Sequence, residues 1–283
     1  MRYSAVVTAK PLRIGQAFIA DQFRVSDFPG TAMSPFVMVD HFRMYAPTFD
    51  EHPHAGISAV TLMLEDSTNE MLSIDSLSRV TRFGPGDLHW TLAGRGITHN
   101  QTPVGQEGVI HALQIFVNLP SHMKDIAPDS FKVPSSSVPV LERSGMRIRV
   151  IAGSYEDVAS PARTPQEVVM LDVKATRRSG KFEMRLPPDA NALVIPIVGA
   201  IAVGDLGVLV GQAIVCSSDA SSEVLAISPR AGTQFVVLGG RNNPSPVITN
   251  GPFVYATETD LRSAEKRYRA GHFGRCPAME TYT

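Results

Sequence analysis

The sequence predicts an all-β protein built from short strands, and three observations support this fold class. The 22 glycines and 21 prolines are spread along all 283 residues and separate short runs rich in Val, Ile, Leu and Phe. Many of these runs alternate apolar and polar residues, as residues 181–186 do, and a period of two is typical of strands. Helix signals are few, so we expect a sandwich or a barrel.

The predicted strands are distributed over both halves of the chain. Each is a short run of apolar and β-branched residues bounded by Gly, Pro, Asn, Asp or Ser. They cover residues 35–41, 57–65, 69–75, 109–118, 147–152, 167–174, 181–186, 213–216, 223–227 and 234–238.

The clearest helix signal lies near the C-terminus. Thr257 can cap a helix, with Asp260 three residues later, and Gly271 provides a stop. A second short helix is predicted over residues 121–126. The apolar residues of the C-terminal helix follow at helical spacing: Leu261, Ala264 and Tyr268. Its basic residues form another face, which we interpret as solvated or, alternatively, as a docking surface: Arg262, Lys266, Arg267 and Arg269.

A domain boundary is predicted within residues 130–149, where a polar stretch flanked by Pro134 and Pro139 interrupts the strands. Both halves repeat a pattern of an apolar strand, a glycine turn and a further strand, with turns at residues 84–87 and 211–213. This similarity predicts a weak internal duplication. We therefore expect one domain over residues 1–133 and a second over residues 134–283, the second including the C-terminal helix.

Composition excludes several classes of function. Lys and Arg number 26 against 27 for Asp and Glu, and the pI is near 6.7, so direct nucleic-acid binding is not expected. No apolar stretch reaches the roughly 20 residues that span a bilayer. The N-terminus lacks the apolar core of a secretory signal, so we expect a cytoplasmic protein. Cys216 and Cys276 match no metal-binding spacing.

The histidines point to a candidate metal site in the first half of the chain. Seven of the eight lie between His41 and His122. His52 and His54 are two residues apart, so an extended segment projects both rings from one face, and His99 and Gln101 share a face in the same way. Three imidazoles and an amide oxygen suit Fe(II), Mn, Ni, Cu or Zn rather than Ca or Mg. The alternative is that these are ordinary surface or core histidines.

We expect the other histidines to support the fold. His111 lies in an alternating strand and is predicted to be hydrogen-bonded in the core or behind the metal ligands. His89 adjoins Trp90, the only tryptophan in the sequence, and is predicted to line a cavity at the candidate metal site. The rest are expected to orient a loop (His41) or to face solvent (His122 and His272).

Several motifs together resemble the pirin family of the cupin superfamily. They are VMVDHF at residues 37–42, HPHAG at 52–56, GPGDLHW at 84–90, AGRGITH at 93–99 and LQIFVNL at 113–119. GPFV at 251–254 and GHFG at 271–274 resemble the pirin C-terminus. The resemblance therefore covers essentially the whole chain, in the expected order.

The resemblance implies two tandem antiparallel cupin-type β-barrels, a bicupin, with one metal in the N-terminal barrel. By that resemblance the ligands are His52, His54 and His99, and iron is the commonest metal. Some pirins are quercetinase-like dioxygenases, and others regulate transcription factors or metabolic enzymes by binding them. A flavonol-like aromatic ligand and a protein partner are thus the two implied partners. In the dioxygenase case, Trp90 and Phe83 would shape the pocket.

The chain departs from the family pattern beside the third histidine. Pirins have a glutamate where this chain has Gln101, and often another where it has Ser58. A neutral amide oxygen is a weaker ligand than a carboxylate, so metal affinity should fall and iron should favour the ferrous state. We therefore favour a metal-binding pirin-like protein over a quercetin 2,3-dioxygenase-like oxidoreductase. A bicupin with an empty site is the third alternative.

Overall fold

The computed structural model describes residues 1–28, 33–105, 107–176 and 180–278. Within them the chain is mostly β-structure with one α-helix, which confirms the predicted fold class. In the first half the strands are β1 (Arg2–Tyr3), β2 (Val7–Thr8), β3 (Lys10–Ile14), β4 (Phe18–Arg24), β5 (Phe36–Met44), β6 (His52–His54), β7 (Ile57–Met63), β8 (Met71–Asp75), β9 (Val80–Phe83), β10 (Leu88–Leu92), β11 (Ile97–Pro103), β12 (Ile110–Asn118) and β13 (Asp129–Val133).

The second half continues the pattern and ends in the helix. Each of the ten predicted strands coincides with an observed one. The elements are β14 (Val140–Arg143), β15 (Met146–Ala152), β16 (Ser154–Tyr155), β17 (Val158–Ala159), β18 (Val168–Ala175), β19 (Phe182–Leu186), β20 (Ala190–Val198), β21 (Ala200–Val203), β22 (Leu206–Leu209), β23 (Gln212–Ser217), β24 (Glu223–Pro229), β25 (Gln234–Arg241), β26 (Ile248–Asn250), β27 (Phe253–Tyr255) and α1 (Glu258–Arg269).

The chain forms two compact units that interleave along the sequence. The first, here called the histidine unit, contains residues 11–22, 36–135 and the described residues from 243 onward, including α1. The second unit contains residues 1–10, the described residues of 23–35, and the described residues of 136–242. The division into domains at residues 133–134 stays a prediction.

Each unit combines a long antiparallel sheet with a four-stranded one. In the histidine unit the orders are β13-β10-β7-β12-β5-β4-β3 and β6-β11-β8-β9. In the second unit they are β1-β23-β20-β25-β18-β15-β14, with β2 also pairing with β23, and β19-β24-β21-β22. The two units thus repeat one strand order, and β19 and β24 take the places of β6 and β11.

The interiors of the two units differ in chemistry. In the second unit the buried cluster is apolar, and it includes Met184, Leu186, Leu225 and Ile227 from the strands equivalent to β6 and β11. The histidine unit instead carries His54, His99 and Gln101 on β6 and β11, all of them buried. The second unit also buries polar side chains, Arg149 and Asp172 among them, but its sequence contains no histidine. The histidine unit is therefore the candidate for metal chemistry.

The C-terminal helix begins and packs as predicted. The Thr257 side chain accepts a hydrogen bond from the Asp260 amide, and Leu261 and Ala264 are buried. The predicted helix over residues 121–126 is wrong: only a single 3₁₀ turn forms, at Ser121–Met123. Pro128 disfavours a helical conformation at the residue before it, so the turn has little room to extend. No helix in the described part of the chain is long and apolar enough to cross a membrane.

Candidate metal centre

Strand β6 carries two of the candidate ligands at the edge of the four-stranded sheet. His52 and His54 flank Pro53, and an edge strand tolerates a proline because its missing N–H faces no partner. β6 pairs with β11, with His99 directly opposite His52 and Ile97 opposite His54. The alternation of both strands places the three imidazoles on the same face.

The three histidines converge as the sequence predicted. The Nε2 atom of His99 lies 3.0 Å from that of His54 and 3.1 Å from that of His52. One nitrogen from each of the three residues falls within 4.8 Å of the others. His54 and His99 are buried, while His52 is partly exposed and connects the group to solvent.

The environment keeps these imidazoles neutral. Burial lowers the pKa of His54 and of His99 well below the ordinary value, and the neighbouring histidines lower both further. Burial also lowers the pKa of His52, although its contact with the Asp50 carbonyl opposes this shift. His52 Nδ1 lies 2.8 Å from that carbonyl and must donate to it, so its Nε2 carries the lone pair.

The geometry fits a divalent transition metal better than a set of hydrogen bonds. Nitrogen atoms at right angles around an ion, each about 2.1 Å away, lie about 3.0 Å apart, close to the two measured separations. The single Nε2 of His99 cannot both donate and accept in its two contacts. The outer nitrogens, His54 Nδ1 and His99 Nδ1, are buried and have no hydrogen-bond partner.

Gln101 lies two residues beyond His99 in β11, with both ends of its amide in contact with other side chains. Its Oε1 accepts from the Thr61 hydroxyl at 3.1 Å, and its Nε2 lies 3.2 Å from His89 Nδ1. Thr61 also lies 3.0 Å from Gln114 Oε1. Because a carbonyl oxygen has two lone pairs, the Thr61 contact leaves one on Gln101 for an ion. Ligation by Gln101 stays a prediction.

Two of the predicted pocket residues, His89 and Trp90, lie on opposite faces of β10. His89 faces Gln101, and its buried ring stacks on Phe83 with centroids 4.7 Å apart. Burial lowers the pKa of His89 to about 4, with Lys132 adding to the shift. Trp90 is the next residue, so it points to the opposite face of β10, where it stacks on Phe131.

The expectation that His41 orients a loop is wrong, because His41 lies inside β5 and is buried. Its Nε2 is 2.7 Å from His111 Nε2, and His111 Nδ1 contacts the Asp66 carboxylate at 2.8 Å. His111 is thus a hydrogen-bonded buried residue, but it lies three residues before Gln114 in an unbroken stretch of β12 and so on the opposite face. His122 and His272 are exposed, as expected.

The change at position 58 does not bear on the histidine cluster. Ser58 and Thr61 are three residues apart in β7, whose pairing with β10 and β12 is regular, so they point to opposite faces. Thr61 is the residue that contacts Gln101. Sequence reasoning missed Thr61 and Gln114, whose residue types carry no metal-binding signal. Their roles depend on sheet pairing.

Comparisons with known proteins agree with this architecture. The family model described as Pirin matches residues 19–117, and the one described as Pirin C-terminal cupin domain matches residues 170–274. A pirin-like protein of Caulobacter vibrioides is 31% identical over 253 residues, covering 84% of this chain and 87% of its own. A putative quercetin 2,3-dioxygenase of Pseudomonas aeruginosa is 30% identical over 250 residues, covering 84% of this chain and 86% of its own.

Solved structures show the same fold. The crystal structure of quercetin 2,3-dioxygenase from Acinetobacter baumannii superposes with a TM-score of 0.85 at 25% identity, covering 96% of this chain and 98% of that one. A bacterial pirin from Escherichia coli, in complex with nickel(II), superposes with a TM-score of 0.67 at 12% identity, covering 85% of this chain and 100% of that one. At that identity the second comparison supports the fold alone.

Proposed function

Because the chain belongs to the pirin family, we propose that its histidine unit binds one divalent transition-metal ion through His52, His54 and His99. The convergence of the three Nε2 atoms, 3.0 and 3.1 Å apart at the two closest contacts, carries this proposal. Ferrous iron is the favoured occupant, with Mn, Ni, Cu and Zn as the alternatives that imidazole ligands also accept.

The ligand set favours the ferrous over the ferric ion. Burial lowers the pKa of all three histidines and so favours their neutral forms, and the nearby Gln101 amide is also neutral. We propose Gln101 Oε1 as a weak fourth ligand, aligned by Thr61 and His89. When bound, the metal would supply a Lewis-acid and redox centre at the open edge beside His52.

Metal content tests this proposal directly. Elemental analysis and a titration with Fe(II) under anaerobic conditions should give one ion per chain for the wild type and none for His54→Ala. The matched control is His122→Ala, which removes an exposed imidazole and should bind like the wild type. Full metal content in His54→Ala would mean that the cluster is only structural. Circular dichroism would verify that each variant is folded.

A second candidate is a dioxygenase that cleaves a flavonol-like substrate. It is favoured by a row of polar side chains beside the histidines: Gln101, Thr61 and the partly exposed Gln114. Asp40 lies directly opposite Gln114 in the sheet and receives a hydrogen bond from Gln22 at 3.1 Å. Asp40 is thus a carboxylate on the face of Gln114 that could accept a phenolic proton in place of the missing glutamate.

Flavonol consumption coupled to oxygen uptake separates the two candidates. We expect little turnover in the iron-loaded wild type, because position 101 lacks a base. Substantial turnover that is lost in Asp40→Asn, with metal content retained, would establish the dioxygenase. In the first proposal the metal-loaded protein acts by binding a ligand or a protein partner, the role for which some pirins are known.

A further inference from the structure

A cavity of about 540 Å³ lies on the histidine unit, and none of His52, His54 and His99 lines it. The turn before β11 lines it, together with the end of α1, the segment that follows α1, and residues 76–77 and 127–128. Arg95, Arg267 and His272 all line it. The described residues that line it include no Asp or Glu, so its charged and titratable groups are all potential cations.

The Arg267 guanidinium is held by two hydrogen bonds. Its Nη2 donates to the Arg95 main-chain carbonyl at 3.0 Å and to the Tyr255 hydroxyl at 3.3 Å. Its Nη1 lies 4.0 Å from Asp125, whose side chain is 85% exposed, so that ion pair is weak. The guanidinium is therefore oriented by neutral acceptors and remains largely unneutralised.

Arg95 contributes a second guanidinium. It is exposed at the centre of the turn between Gly94 and Gly96, and within the described chain its side chain has no hydrogen-bond or ion-pair partner. Gly96 has a φ of +139°, and a Cβ there would come within 2.2 Å of the Phe273 ring. The buried Phe273 thus fixes this turn against the opposite wall.

We propose that this cavity binds an oxyanion, a carboxylate or a phosphate group of a small molecule. Guanidinium groups present paired N–H donors that match the oxygen spacing of both anions. No Asp or Glu is among the described lining residues, and the exposed Asp125 competes only weakly for Arg267, so these donors are largely available, and the concave surface focuses their field. The proposal does not depend on the metal or on any enzymatic activity.

Titration of the full-length protein with inorganic phosphate and, separately, with succinate tests the proposal. Ionic strength is kept constant with sodium chloride, and amide NMR shifts and calorimetry provide the readouts. We expect saturable shifts centred on residues 94–96 and 271–274. Phosphate alone, succinate alone or both could produce them, and the result identifies the anion class.

Two variants and a control decide whether the measured anion binding occurs in this cavity. Arg95→Gln and Arg267→Gln should each weaken anion binding at least tenfold. Arg95→Gln removes a guanidinium that has no hydrogen bond or ion pair with the described residues, so it remains informative even if Arg267→Gln unfolds. Arg262→Gln, an exposed change on the same helix outside the cavity, should bind as the wild type does. The proposal is overturned if neither anion binds, if Arg95→Gln is unaffected, or if Arg262→Gln is equally weakened.

Discussion

The hydroxyl of Thr61 lies 3.1 Å from the amide oxygen of Gln101, across two different sheets of the histidine unit. Thr61 is almost fully buried, and its one hydrogen is shared between Gln101 and Gln114. If Thr61 donates to Gln114, then the Gln101 amide must reverse and donate to Thr61. The hydroxyl therefore links the orientation of Gln101 to a residue farther from the histidines.

Gln101→Glu should tighten metal binding about tenfold or more. The change preserves size, and it places a negative charge beside a dication, where about 1.4 kcal/mol of net gain corresponds to a tenfold change in affinity. Metal titrations of both forms at one pH would measure it. The control is Gln114→Glu, which adds the same charge on the other side of Thr61 and should have a smaller effect. Equal affinities of Gln101→Glu and wild type would show that position 101 does not touch the ion.

The metal-free protein should lose stability as the pH falls from about 7 to about 4. Burial lowers the pKa of His41 to about 3 and of His89 to about 4, whereas both titrate near 6.5 when unfolded. Below pH 6.5 the unfolded chain therefore binds protons that the folded chain does not, and the free energy of unfolding decreases. Urea unfolding across this range would measure the slope. His89→Gln should show a shallower slope, and an unchanged slope would contradict the assignment.

Lys124→Met should destabilise the protein by at least about 2 kcal/mol. The buried amine of Lys124 donates to the carbonyls of Gly56 and Val254 and to the Asn118 side chain, at 2.9, 2.9 and 2.6 Å. Leaving a buried acceptor unpaired costs about 1–3 kcal/mol. The exposed Lys132→Met is the control and should change stability by no more than about 0.5 kcal/mol. Similar urea midpoints for both variants would contradict this role of Lys124.

The protein should bind one transition-metal ion per chain. The sequence has no histidine from residue 123 to residue 271, and β19 and β24 bury Met184, Leu186, Leu225 and Ile227 in the places of β6 and β11. Thioether and aliphatic side chains do not replace three imidazoles for Fe(II) or Zn(II). Two ions per chain in a saturating titration, one of them retained in His54→Ala, would contradict this prediction.

The sequence was sufficient to predict the strands and the three-histidine cluster, because both predictions rest on side chains that alternate with a period of two residues. An alternating run shows which residues share a face, and His52 and His54 need only that rule to project together. The sequence was insufficient to predict contacts that depend on how strands pair and how sheets pack. The position of Thr61 beside Gln101 is one example, and the burial of His41 against His111, 70 residues away, is another. No local pattern specifies such pairs.

The proline between His52 and His54 also bears on association between molecules. The main-chain N–H and C=O of Thr98 both bond to Ser76, on the side of β11 away from β6. The β6 residue opposite Thr98 therefore points its own main-chain groups toward the open edge of the sheet. That residue is Pro53, which has no N–H to offer. An incoming strand would therefore find no donor at the midpoint of β6. Proline here helps protect the edge strand that carries His52 and His54 from intermolecular strand addition and aggregation.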